Sequence, residues 1–192
     1  MRIASTPRLL AAIVLGLGLA QTAPAATFIV DSAEDSGEGS LREAIGLANA
    51  APGPHSIVIQ LPGSNVTLSL ASALPVITTS ALSVSATNSP GFRIDGQTFH
   101  RMFETGAGNQ SLELIDLHLR RGKATRGGCV LGHASAQASL RIERVRFEAC
   151  TAEGSAGEIV GGAVFQPQVA SLEVVASVFV DNLAMGPSAG GG

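Results

Sequence analysis

Three segments of this chain repeat one pattern at nearly constant spacing, and this repetition restricts the fold more than any other feature. The segments begin at Leu112, Leu140 and Leu172, and they align with one another without a gap. A glycine cluster follows each segment, so the repeating unit is longer than one strand. Repeats of about 20–50 residues are typical of stacked structural units. The sequence therefore predicts a repeat architecture.

Within each segment, the first, third, sixth and eighth residues are mostly apolar. This spacing fits a short strand that turns a two-residue corner and resumes with the same face inward. Helices are the alternative, since Leu112, Ile115 and Leu119 also have a helical spacing, but the glycine clusters and the Val, Ile and Phe content favour strands. The inward sets are Leu112, Leu114, Leu117 and Leu119; Leu140, Ile142, Val145 and Phe147; and Leu172, Val174, Ser177 and Phe179.

Aligning the segments also places opposite charges next to one another. Neighbouring strands lie about 4.8 Å apart, so aligned residues are in contact, although each exposed ion pair contributes only roughly 0.2–1 kcal/mol. His118 opposite Arg146 is not complementary. The complementary pairs are Glu113 with Arg141, Arg141 with Glu173, Asp116 with Arg144, and Arg120 with Glu148.

Parallel strands of equal register, joined by loops of variable length, predict an all-β fold, a right-handed parallel β-helix of about five coils. The 23 glycines and the absence of Trp and Tyr suit a narrow coil. We expect an N-terminal cap with irregular first coils over 26–111 and regular coils over 112–192.

A capping helix is predicted ahead of the coils. Ser40 and Glu43 have the spacing of a capping box, and Pro52 and Gly53 would end the helix. Its apolar face would close the open end of the stack. That face comprises Leu41, Ala44, Ile45 and Ala48, and further short strands are predicted at Thr27–Val30, Ile57–Leu61, Val66–Leu70, Leu82–Ser85, Phe92–Ile94 and Met102–Glu104.

Positions 1–25 have the features of an export signal peptide. Arg2 and Arg8 precede an apolar run over positions 9–20, and Ala23-Pro24-Ala25 fits a cleavage site. We expect an exported protein, located extracellularly, at the outer-membrane surface or in the periplasm, with no transmembrane segment. Loss of two of the 12 basic residues leaves 10 against 15 acidic residues, a net charge near −5. Nucleic acid is therefore excluded as a partner.

Two cysteines remain in the exported chain. Cys129 follows a glycine pair, whereas Cys150 occupies the position that Asn182 holds in the next repeat. Because these are different positions of the coil, we expect two free, buried thiols rather than a disulfide. No metal-ligand spacing and no cofactor site is predicted. The histidines, which we expect in solvated loops or faces, are His55, His100, His118 and His133.

The segment Phe28-Ile29-Val30-Asp31 through Gly39-Ser40-Leu41-Arg42-Glu43-Ala44-Ile45 resembles the N-terminal signature of secreted bacterial β-helix proteins with the motif Cys-Ser-Leu-Arg-Glu-Ala. Gly39 replaces the cysteine of that motif. Gly161-Gly162-Ala163-Val164 and Phe179-Val180-Asp181-Asn182 are similar to repeats of polymorphic outer-membrane proteins, whose passenger regions are β-helical. We interpret Asn182 as a structural corner residue that tolerates left-handed backbone and bonds neighbouring amides.

Two functions are compatible with this architecture. The pectin lyase-like superfamily, which shares the predicted fold, includes polysaccharide lyases and hydrolases, and Asp116, Glu143 and Glu148 could share a face. Each carboxylate is more simply explained as half of an ion pair, so we predict no catalytic residue. The basic loop 120–126 could contact an acidic surface, although a solvated turn is the simpler explanation. The predicted function is a non-catalytic stalk or adhesin-like passenger that contacts cell-surface or matrix glycans or proteins.

The chain has no second cap in the predicted stack. Glycines occupy the last three positions, and the outward residues of the last repeat are less polar. An unprotected last coil favours association between chains. We expect either a piece of a longer β-helix or a truncated gene product that self-associates through this coil.

Overall fold

The computed structural model describes residues 24–133, 135, 137–154, 159–167, 171–186 and 189–190, so nearly all of the predicted signal peptide lies outside the described residues. One short helix, α1 (Leu41–Ala50), follows the first strand. The strands are β1 (Ala26–Val30), β2 (Pro54–Ile59), β3 (Thr67–Ser69), β4 (Ala81–Ser85), β5 (Arg93–Asp95), β6 (Phe103–Glu104), β7 (Ser111–Ile115), β8 (His118–Arg120), β9 (Lys123–Ala124), β10 (Val130–Leu131), β11 (Ser139–Glu143), β12 (Arg146–Glu148), β13 (Thr151–Glu153), β14 (Ile159–Val160), β15 (Val164–Phe165), β16 (Ser171–Val175), β17 (Val178–Val180), β18 (Leu183–Met185) and β19 (Ala189–Gly190).

The strands form a parallel β-solenoid of about five turns, which confirms the predicted fold class. One face is a six-stranded sheet in the order β1-β2-β4-β7-β11-β16, and a second is a five-stranded sheet in the order β17-β12-β8-β5-β3. Shorter sheets close the coil, in the orders β15-β10-β6, β18-β13-β9 and β14-β19. Strands that are neighbours in space are thus about one repeat apart in sequence.

The register of the stack is the predicted one. Leu140 pairs with Leu112 on one side and with Leu172 on the other, so the gapless alignment of the three segments is also their alignment in space. The same register continues into the earlier coils, because Leu82 pairs with Leu112 and His55 with Leu82. The six-stranded sheet therefore crosses the boundary between irregular and regular coils without a slip.

The inward side chains form one continuous apolar core. The predicted inward residues of the first two repeats are buried. Those of the third repeat are about half exposed, with Leu172 at 46% and Phe179 at 48%, because the described residues place no coil on their far side. The rings of Phe147 and Phe179 stack with centroids 4.8 Å apart. Aromatic stacking thus continues into the last described coil.

Left-handed residues make two corners of each regular coil. The first corner uses Asp116, Arg144 and Ala176, with φ of 56°, 51° and 48°. Such conformations are costly for residues other than glycine, yet they recur at equivalent positions. The second corner uses, in successive coils, Arg121, Ala149 and Asp181.

The interpretation of Asn182 is therefore half right. The left-handed residue is its neighbour Asp181. The amide of Asn182 instead bonds the preceding coil, since its Oδ1 accepts from the N–H of Cys150 at 2.9 Å and its Nδ2 donates to the carbonyl of Phe147 at 3.2 Å. Its role is structural, as predicted.

The capping helix is confirmed. Ser40 precedes α1, and its Oγ accepts a hydrogen bond from the backbone N–H of Glu43 at 3.2 Å. The Glu43 carboxylate accepts from the N–H of Gly39 at 2.8 Å. In the usual capping box it would accept from the N–H of the N-cap residue, here Ser40. The predicted apolar face of the helix is the face that is buried. It covers the first coil as far as β1 and β2.

The expectation of two free thiols is wrong, because Cys129 and Cys150 form a disulfide with their Cα atoms 5.6 Å apart. The two cysteines do occupy different positions of the coil, but they lie in adjacent coils and face one another across a narrow interior. Gly122 lies under Cys150 in the stack and against Cys129, and a side chain there would collide with the Cys129 sulfur. The missing side chain of Gly122 leaves the space that the disulfide fills.

Candidate functional site

A column of charged side chains runs across the outer face of the six-stranded sheet. Arg141 bridges Glu113 and Glu173, with nitrogen–oxygen distances of 2.7 and 3.2 Å. Glu143 contacts the same guanidinium at 2.5 Å. The predicted alternation of charge is thus confirmed, and Arg141 links three successive coils.

A second charged group lies at the corner that follows this sheet. Arg144 forms a two-pronged ion pair with Asp116, with distances of 2.7 and 2.9 Å, as predicted. The hydroxyl of Thr87 donates to the same carboxylate at 2.6 Å, and Glu143 pairs with Arg144. The hydrogen bonds from Arg144 lower the pKa of Asp116, and its burial opposes this only partly. Asp116 is therefore held as an ionised acceptor.

Glu148 has different partners from the predicted one. The register does place Arg120 opposite Glu148. However, the carboxylate of Glu148 accepts from Arg146 at 3.0 Å and contacts His118 Nε2 at 2.9 Å. The bond from Arg146 is the main cause of a lowered pKa at Glu148. Burial lowers the pKa of His118 despite this carboxylate, because desolvation disfavours the imidazolium.

Arg120 is drawn away by a buried carboxylate that the repeat pattern does not reveal. The side chain of Asp95 is 1% exposed and contacts Arg120 at 2.7 Å and Arg121 at 2.5 Å. Its Oδ1 also accepts from the backbone N–H of Gln97 at 2.9 Å. Burial alone would raise the pKa of Asp95, but the hydrogen bonds from Arg121 and Gln97 and the two guanidinium charges lower it.

The remaining cations of the predicted basic loop are also engaged. Lys123 pairs with Glu153 at 2.6 Å, and the guanidinium of Arg126 lies 5.8 Å from the ring centroid of Phe165. These partners lie in the next coil. Lys123 and Arg126 are therefore both in contact with the next coil.

A cavity of about 590 Å³ opens beside the charged corner. One wall is the loop 86–92, which is longer than the two-residue corners of the following coils. Its polar lining consists of Thr87, Asp116, His118, Arg144 and Arg146. Of the three carboxylates considered for catalysis, only Asp116 lines the cavity. Glu143 and Glu148 each contact lining residues without lining it themselves.

The carboxylates at this cavity lie beside guanidinium groups that lower their pKa. A glycoside hydrolase needs one carboxyl group that stays protonated near neutral pH, which requires a raised pKa. Both Asp116 and Glu148 have a lowered pKa. They are fixed acceptors beside fixed guanidinium donors, an arrangement that can hold polar groups of a ligand.

A smaller groove of about 360 Å³ crosses the start of the six-stranded sheet. Ser56, Ser83, Ser111 and Ser139 line it beside Glu113 and Arg141. These serines belong to the outward positions of successive strands. In the row that begins with Ser56 and Ser83, the outward residues change from hydroxyl groups to ion pairs at Glu113.

The histidines do not share one environment. His55 is buried, contrary to expectation, and its Nδ1 accepts from the N–H of Ala26 at 3.2 Å. His133 contacts Glu104 at 3.2 Å. Within the part of the chain that the structure describes, no three His, Cys, Asp or Glu side chains are grouped so as to hold a metal ion. Over the same residues, no helix has the length and hydropathy needed to cross a membrane.

In comparisons with known proteins, no family model and no curated protein sequence matches this chain.

Proposed function

We propose that this chain is a non-catalytic, exported β-helix segment that acts as a stiff stalk or adhesin-like passenger at the cell surface. The observation that carries this proposal is the pairing of the outward charges with one another along the stack. Arg141 alone connects Glu113, Glu143 and Glu173. Side chains used in this way reinforce a long, regular surface and are not free for acid–base work.

Three further observations support export. Positions 1–25 have the composition of a signal peptide. The disulfide between Cys129 and Cys150 is of a kind that persists in oxidising compartments and is rare in a reducing cytosol. The likeness of residues 28–45 to the signature of secreted bacterial β-helix proteins points in the same direction.

The test is a comparison of binding with turnover. The exported protein is incubated with host cells, extracellular matrix and a panel of acidic and neutral glycans, and bound protein and glycan chain length are both measured. We expect the protein to bind at least one of these surfaces, and the glycan chains to keep their length. Depolymerisation that disappears in Asp116→Asn or Glu148→Gln would contradict the proposal.

The corner cavity favours a second candidate, a polysaccharide lyase or hydrolase. It brings Asp116, His118 and the arginines of β12 and its preceding corner to one opening. A matched control is Glu153→Gln, which removes an exposed carboxylate whose partner is Lys123, outside the cavity lining. Activity that survives Glu153→Gln but not Asp116→Asn would establish this candidate.

A further inference from the structure

The turn that follows β5 has a strained backbone. Gln97 and Thr98 are consecutive left-handed residues, with φ of 59° and 65°. Such a conformation is a clear outlier for a β-branched residue like Thr98. Strain of this kind persists only where the surroundings hold it, and it is concentrated at functional sites.

The surroundings of this turn hold it firmly. Asp95 accepts from the N–H of Gln97, and the N–H of Thr98 donates to the carbonyl of Arg121 at 2.8 Å. Gly96 is pressed against the neighbouring coil, and a side chain there would collide with the carbonyl oxygen of His100 and with Gly122. The turn is thus fixed to the stack on both sides.

The turn presents Phe99 to solvent. Phe99 is 75% exposed, whereas the other exposed large apolar residues of the described chain are at most 50% exposed. Those residues lie on β1, on or near α1, or in the last coil. The neighbours of Phe99 in sequence are Thr98 and His100. The ring centroid of His100 is 6.3 Å from that of Phe99. Phe99 is therefore a single aromatic ring among polar groups.

Two arginine side chains lie at the base of the turn. One carboxylate, Asp95, is shared by Arg120 and Arg121. The Arg121 side chain remains 46% exposed, and its hydrogen bonds to Asp95 use Nε and Nη2. An anionic group near the turn would meet this exposed cation.

From these features we infer that the Phe99 turn, residues 96–100 with Arg121, is a contact site for a negatively charged glycan that is bound without being cleaved. The apolar face of a sugar ring packs on Phe99, and its carboxylate or sulfate pairs with Arg121. This inference rests on the proposed adhesive function and names the class of ligand. The corner cavity plays no part in it.

A glycan fits the turn better than a protein partner does. An aromatic residue that anchors a protein interface is surrounded by other contacts that exclude water. Around Phe99 the structure offers an amide, a hydroxyl, an imidazole and a guanidinium, which suit the hydroxyl and acidic groups of a sugar. A rigid turn also keeps the entropic cost of binding small.

The experiment measures binding of the exported protein to heparin, to polygalacturonate and to neutral dextran. The two acidic polymers separate sulfate from carboxylate recognition. We expect binding to at least one acidic polymer, weakening as salt is raised, and no binding to dextran. Phe99→Ala should weaken it about tenfold or more, whereas Phe99→Tyr should retain it.

Val76→Ala is the matched control, because Val76 is an exposed apolar residue that contacts Asn49 of α1. Unchanged binding by Phe99→Ala, or equal losses in Phe99→Ala and Val76→Ala, would overturn the inference while leaving the proposed function standing. Equally tight, Phe99-dependent binding of polyglutamate would overturn the glycan assignment in favour of an acidic polypeptide. Failure of the unaltered protein to bind either acidic polymer would also overturn it, and adhesion to cells then decides the proposed function separately.

Discussion

Residues 116 and 117 alone connect β7 to β8, whereas residues 86–92 connect β4 to β5 in the preceding coil. The regular coils after Ser111 have short corners, charged outer columns and a disulfide. The coils before Ser111 have long loops and outward residues such as Thr27, Ser56 and Ser83, which continue in register into Glu113. The two regions differ in almost everything except the pairing of their backbones and the burial of their inward side chains.

This difference shows what fixes the register. The first coils are paired as regularly as the later ones, although on the six-stranded sheet their aligned outward positions carry hydroxyl groups instead of ion pairs. Alternation of buried and exposed side chains is enough, since a slip of one residue would turn every apolar side chain outward. The ion pairs of the regular coils mark the register but do not create it.

The largest expected effect is the loss of a core phenylalanine, and it should be the same in both regions. Phe92 in the first coils and Phe147 in the regular coils are both almost completely buried. Replacement of either by alanine should lower the free energy of unfolding by about 4 kcal/mol, through lost burial and a cavity. Denaturant titration measures this, with Phe99→Ala as the control of small effect. A much smaller loss for Phe92→Ala would mean that the first coils are not part of the same core.

Removal of the disulfide should have the next largest effect. The double variant Cys129→Ala with Cys150→Ala frees a segment whose ends are 21 residues apart. We expect a loss of roughly 3 kcal/mol, because closing such a segment restricts the unfolded chain. Thermal unfolding with and without a reductant measures it. If reduction left the unaltered protein as stable as before, the bridge would have no stabilising role.

Asp95 connects the two regions, and Asp95→Asn should cost about 2–3 kcal/mol, because two guanidinium groups lose their shared carboxylate. The lowered pKa of Asp95 also sets a pH dependence. Its contribution is fully present above the ordinary Asp pKa of 3.8 and is lost as the pH falls through the lower folded value. The free energy of unfolding of the variant should therefore depend less steeply on pH below about 4. An equally steep acid dependence in Asp95→Asn would contradict this.

The smallest expected effect is the coupling within the outer column of the regular coils. A double-mutant cycle of Glu113→Gln and Arg141→Gln should give a coupling energy of about 0.5 kcal/mol, because both side chains are about one-third exposed. Ser56→Ala and Ser83→Ala form the matched cycle in the first coils and should show none. A coupling energy in the charged pair well above the range of exposed ion pairs, at roughly 2 kcal/mol or more, would mean that ion pairs do create the register.

The sequence predicts the regular coils well because three copies of one pattern can be aligned. It predicts the helix because Ser40, Glu43 and the apolar face are local signals. The disulfide was missed because the distance between the two cysteines depends on the width of the coil and on the absence of a side chain at Gly122, and the alternation of apolar residues gives neither. Asp95 and the Phe99 turn were missed because they belong to an irregular coil without a second copy. Gln97 and Thr98, the two left-handed residues of this turn, are not part of any pattern that repeats along the sequence.

The most direct test of a single stack in one register is a crosslink between the two regions. Ser83 and Glu113 are paired Cα neighbours on β4 and β7, with outward side chains. The double variant Ser83→Cys with Glu113→Cys should form a new disulfide under mild oxidation, identified by peptide mass spectrometry. The double variant Ser83→Cys with Ile115→Cys, displaced by two residues, should not, because its Cα atoms lie beyond about 7 Å. A bond in the displaced pair and none in the aligned pair would contradict the register on which the whole account depends.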